Sequence, residues 1–111
     1  MYQLEISLDK YEKLKQCLSE IHPEIAVTLV SFDYALASMG FAEQPPCTVD
    51  VDLTEEGCRE LLDELMQYEI DAYNQEGSYY KIKKTPQYQK YLRYGWMWDL
   101  FHFYYDKNKG R

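Results

Sequence analysis

The chain has 111 residues, 46% hydrophobic and 28% charged, with a net charge of −7. That length supports one ordinary domain, and the balance is globular, which excludes low-complexity and disordered classes. Residues 1–21 carry charges throughout and predict no secretory signal. The most apolar stretch, Tyr94 to Tyr105, is interrupted by Asp99 and His102 and is too short to span a bilayer.

Tyr2, Leu4, Ile6 and Leu8 alternate with Gln3, Glu5 and Ser7, which predicts a half-buried strand. Asp9 is the expected N-cap of a helix with Tyr11, Leu14, Leu18 and Ile21 on one side. Pro23 ends it, because proline lacks an N–H and disfavours helix at His22.

Glu24 to Met39 reads as a second helix, with Ile25, Leu29, Phe32, Leu36 and Met39 in one stripe. The β-branched residues between Ile25 and Phe32 also suit a strand. Gly40 is the expected C-cap, and Pro45-Pro46 mark a loop. Val49, Val51 and Leu53 alternate with Asp50 and Asp52, predicting another strand.

Thr54 then caps a long helix with Glu55 and Glu56 in its first turn. Its apolar stripe is Cys58, Leu61, Leu62, Leu65, Ala72 and Tyr73. Glu56, Glu60, Asp63, Glu64 and Asp71 fall opposite. Asn74 to Ser78 is a turn, and Thr85-Pro86 opens a last helix to about Asp106.

The expected fold is therefore α+β, a single domain of βααβαα order. A two-stranded sheet packs with three to four helices. The two strand-then-helix halves, 1–44 and 45–106, raise a βαα duplication, with a short basic tail at 107–111. Two strands alone are marginal, so they need helices on one face or a strand from a second subunit.

Charge is segregated along the chain. Met1 to Tyr80 holds four Lys/Arg against seventeen Asp/Glu. Lys81 to Arg111 holds eight Lys/Arg against two Asp/Glu. One reading is solubility, with the basic tail lying on the acidic face of its own domain. The other is a display of carboxylates aimed at a basic partner. Its residues are Asp50, Asp52, Glu56, Glu60, Asp63, Glu64 and Asp71.

The last helix carries rings on all sides. Tyr94, Trp96, Trp98, Phe101 and Tyr105 are either core or candidate anchors of a homo-oligomer. Glu69 falls on the apolar stripe of the acidic helix and Asp99 on a ring-bearing face, so both are buried-polar candidates. Arg93 or a tyrosine hydroxyl is the expected partner of Glu69.

Lysines interleave with tyrosines from 79 to 94, which suits single-stranded nucleic acid. The whole-chain charge opposes direct binding of a polyanion, and no membrane partner is expected.

Catalytic chemistry finds no constellation. Two histidines, His22 and His102, and three widely spaced cysteines, Cys17, Cys47 and Cys58, predict no metal and no cofactor. The cysteines fit reduced thiols of a cytoplasmic protein. No glycine elbow surrounds a serine, and no phosphate loop exists among the five glycines.

The sequence thus points to a small non-enzymatic binding protein, an inhibitor or adaptor whose acidic face docks on a basic protein. The analogy is with acidic decoys that block phage-defence or restriction complexes, and it rests on charge alone.

Overall fold

A computed structural model describes residues 2–32 and 46–109, with side chains described through Phe32 and from Cys47 to Phe103. The chain divides into two compact units, Met1–Thr54 and Glu55–Arg111.

The first unit is a three-stranded antiparallel sheet with one helix. Strands β1 (Tyr2–Ser7), β2 (Val27–Phe32) and β3 (Pro46–Val51) lie in the order β1-β3-β2. Helix α1 (Leu8–Ile21) joins β1 to β2. The two flanking strands are parallel to each other with β3 inserted between them, a split β-α-β arrangement.

The register builds three apolar rungs. Tyr2, Val51 and Val27 form one, Leu4, Val49 and Leu29 the next, and Ile6, Cys47 and Phe32 the third. Every β1 and β3 member of these rungs is buried, while the β2 members are half-buried. Helix α1 lies against the sheet and buries Leu14, Cys17 and Leu18, spaced three and four apart on one side. Full burial of one such branched side chain contributes at most about 2–3 kcal/mol.

The sheet corrects the expected two-stranded one, and β2 replaces the start of the helix expected from Glu24 to Met39. The reason is a bulge. The register slips between Leu29 and Ser31, which leaves Val30 as the extra residue, 51% exposed. Leu29 and Phe32 therefore share a face although they are three residues apart, a spacing that imitates a helix. Leu36, Met39 and the Gly40 cap lie outside the described residues.

Smaller corrections follow from the strand ends. Ser7, not Asp9, caps α1, its hydroxyl accepting from the Lys10 amide at 3.3 Å. Asp9 sits in the first turn instead, where its charge suits the helix dipole. Pro46 opens β3 rather than lying in a loop, a position where its missing N–H is tolerated. Leu53 lies beyond the end of β3 and is still buried. This strand, expected to begin a second βαα half, is the central strand of the first unit.

The second unit is helical. It comprises α2 (Glu55–Tyr73), the single turn α3 (Tyr79–Ile82), α4 (Pro86–Tyr94) and α5 (Trp96–Lys109). Helix α2 packs on α4 and α5. It buries Cys58, Leu61, Leu62, Leu65 and Ala72, as the stripe predicts, whereas Tyr73 at the stripe's edge is 48% exposed. The turn after α2 uses Gly77 at φ 120°, a left-handed backbone that glycine adopts without strain.

The expected single last helix is two helices, α4 and α5, parted at Gly95. A Cβ there would stand 2.6 Å from the Tyr91 carbonyl oxygen and 2.8 Å from its ring. The missing side chain is what lets Tyr91 lie over the joint.

Thr85 caps α4 and ties it to the turn that follows α2. Its hydroxyl accepts from the Tyr88 amide at 3.3 Å and from the Gln75 side chain at 2.9 Å, and donates to the Ile82 carbonyl at 2.7 Å. The Gln75 amide also donates to the Ala72 carbonyl at 3.0 Å. Thr85→Ala removes all of the hydroxyl's bonds, with an expected loss of about 1–2 kcal/mol. Urea denaturation checks this, and Thr85→Ser should retain most of the stability.

Candidate binding surfaces

Helix α2 has two opposed sides because its residues advance about 100° each. Glu56, Glu60 and Asp63, spaced four and three apart, fall in one arc opposite Leu65, and all three are exposed. Among the described residues, no cation forms an ion pair with any of them.

The other expected acidic residues are differently placed. Asp71 is exposed and accepts from the Gln67 side chain at 2.8 Å. Glu64 is half-buried and accepts a hydrogen bond from the Tyr68 hydroxyl. Asp50 and Asp52 belong to the sheet unit. Asp50 accepts from the Gln3 side chain at 3.2 Å on the polar face, and Asp52 is exposed beyond the strand end.

The aromatic candidates divide as well. Phe101 is fully buried together with Met97, so it belongs to the core and not to an exposed interface. Tyr94, Trp96 and Trp98 are half-buried. Trp98 stacks on His102 with ring centroids 4.4 Å apart. Phe103, which sequence periodicity did not single out as an anchor, is 62% exposed. The side chain of Tyr105 lies outside the described ones.

The buried-polar candidates are not buried. Glu69 is half-buried, while Arg93 and Asp99 are exposed. Among the described residues no charged side chain is buried. Glu69 lies at the rim of the helical core, where its charge reaches the Tyr91 phenol. An ionised group at a rim keeps its water, which is why no buried partner is needed.

A cluster of tyrosines forms where α2, α3 and α4 meet. The Tyr73 ring lies 5.9 Å from Tyr88 and 5.6 Å from Tyr91, and Tyr79 lies 6.4 Å from Tyr88, all edge-on. Edge-on rings at such distances attract through their quadrupoles. The cluster packs on the buried Ala72 and Ile82. Lys83 sits 4.4 Å above the Tyr79 ring, and Lys90 4.4 Å above Tyr68. Arg93 is 5.8 Å from the Tyr94 ring.

These surroundings move the phenols apart. Burial first, and then the Glu64 charge, push Tyr68 up to about 12. Burial and Glu69 raise Tyr91. Tyr88 is raised, chiefly by the hydrogen bond it makes with the Tyr79 hydroxyl, while the same bond and Lys83 lower Tyr79.

Raised phenols stabilise the fold fully below the unfolded value near 10, and that stability is lost as pH rises through the folded values. The urea midpoint should therefore fall between about pH 10 and pH 12. Tyr68→Phe should reduce the fall, whereas an equal fall in that variant would remove Tyr68 as its source.

Among the described residues, no group of three or more His, Cys, Asp or Glu converges as a metal site. Cys17, Cys47 and Cys58 are buried and form no disulfide, and burial raises Cys47. No described helix is long and apolar enough to cross a membrane.

No protein-family model, curated protein or solved structure matches this chain.

Proposed function

We propose that this chain is a small non-enzymatic binding protein whose acidic ridge on α2 docks on a basic protein surface, as an inhibitor or adaptor. The supporting observation is that Glu56, Glu60 and Asp63 stand exposed in one arc with no cation paired to them among the described residues. A nucleic-acid-binding protein is the natural target, because carboxylates on a rigid helix can occupy the Lys and Arg side chains that otherwise hold phosphates. Three buried thiols that form no disulfide accord with a reducing, cytoplasmic setting.

The test is an affinity pull-down from nuclease-treated host extract, eluted with rising salt. The expected result is a basic, nucleic-acid-binding protein that elutes as salt rises. Recovery of only untagged copies of the bait would overturn this reading.

That outcome would favour a second reading, a homo-oligomer formed through α5. Its support is Phe103, 62% exposed, which falls two turns on along the same side of α5 as the half-buried Trp96. A third, direct binding of nucleic acid by residues 79–94, draws on Tyr80, which is 78% exposed among lysines.

A further inference from the structure

We propose that Tyr79 is the nucleophilic phenol of this protein, a site of covalent modification by electrophiles carried on an anionic group. Tyr79 stands on the single turn α3, 52% exposed, and so is open to a reagent. Its ring has the Lys83 ammonium over one face at 4.4 Å and the Tyr88 ring edge-on at 6.4 Å. The Tyr88 hydroxyl and the Lys83 ammonium both hydrogen-bond to it, so two donors stabilise the same developing phenolate. Tyr88 in turn adjoins Tyr73, and Tyr73 adjoins Tyr91, so the ring beside Tyr79 is itself held in a cluster of edge-on phenols.

Tyr80 is the internal control. It is the next residue and more exposed, at 78%, yet no cation lies over its ring among the described residues. Exposure alone therefore ranks Tyr80 first, whereas the contacts rank Tyr79 first. The choice of an anionic carrier follows from the local charge. From Tyr79 to Trp98 the chain has no acidic residue, and Lys81, Lys83 and Lys84 are exposed.

The test uses para-fluorosulfonylbenzoate on the full chain near neutral pH. The Tyr79 oxygen attacks sulfur, the S–F bond breaks, fluoride leaves, and the phenol proton passes to solvent, giving a sulfonate ester. Peptide mapping by mass spectrometry then gives the two labelling rates in the same molecules.

Tyr79 should label several-fold faster than Tyr80. Lys83→Gln and Tyr88→Phe should each bring its rate to that of Tyr80, as should urea. The cationic aminoethylbenzenesulfonyl fluoride should favour Tyr79 less. Equal or faster labelling of Tyr80 in the native chain would overturn the proposal, as would a Tyr79 rate unchanged in Lys83→Gln. An equal preference for Tyr79 with both reagents would overturn the anionic carrier. Lys83 is exposed, so that variant decides the matter even if Tyr88→Phe loosens the fold.

Discussion

Phe101→Ala should remove about 3–5 kcal/mol of stability, the loss typical of a phenylalanine cut from a closed core. Phe101 is fully buried, and so is Met97 one turn earlier on α5. Total stability in domains of this size is about 5–15 kcal/mol, so the variant should lose a large share of it. A circular-dichroism melt should show Tm lower by roughly 15 °C or more. Phe103→Ala, two residues further on, removes a ring that is 62% exposed. It should change stability by no more than about 0.5 kcal/mol. Equal melts for the two variants would mean that Phe101 is not a core residue.

The pair also settles how the homo-oligomer reading is to be probed. A variant that truncates Trp96 and Phe101 together would unfold the helical unit and report on folding alone. Phe103 is exposed, so a shift in sedimentation on Phe103→Ala reports on assembly.

Legibility of the fold varied with how local its cause was. The alternation of Tyr2, Leu4 and Ile6, the Thr85-Pro86 start of α4 and the stripe of α2 depend on neighbours within a few residues, and the structure bears them out. For 25–32 the strand is only the second choice to a helix, because the bulge at Val30 exists only against β3 and breaks the period-two signal in the sequence. Gly95 was legible as a glycine, but not its role, because the atoms that exclude a Cβ belong to Tyr91 across the joint. Asp9 is the cap that the sequence suggests, but β1 stops at Ser7, and its hydroxyl takes the cap instead.

The surfaces follow the same rule. Exposure of Glu56, Glu60 and Asp63 could be read from helical spacing alone. The tyrosine cluster could not, because Tyr73, Tyr79, Tyr88 and Tyr91 come from three helices and meet only after packing. On α5 the sequence puts Phe101 among the expected anchors and leaves Phe103 out, the reverse of their exposure, since periodicity cannot say which side of a helix ringed all round is covered.

Charge reversal on the α2 ridge should reduce capture of the basic partner far more than it affects folding. Glu60→Lys with Asp63→Lys is the appropriate variant. Both side chains are exposed, and neither lies in the first turn, where a lysine would oppose the helix dipole. Glu64 is left alone because it accepts the Tyr68 hydrogen bond. The variant moves the net charge from −7 to −3. Glu12→Lys with Glu76→Lys does the same at exposed positions off the ridge, and so separates position from total charge. Steering by a complementary surface raises association rates by about 10–1,000-fold at low salt. The ridge variant should lose most of that acceleration and the control should keep it, with the difference vanishing as salt screens the charges. Surface plasmon resonance against the captured partner at two salt concentrations measures this directly. Equal rates for the two variants would mean that the ridge is solvated surface, and the partner's affinity would have to come from elsewhere on the chain.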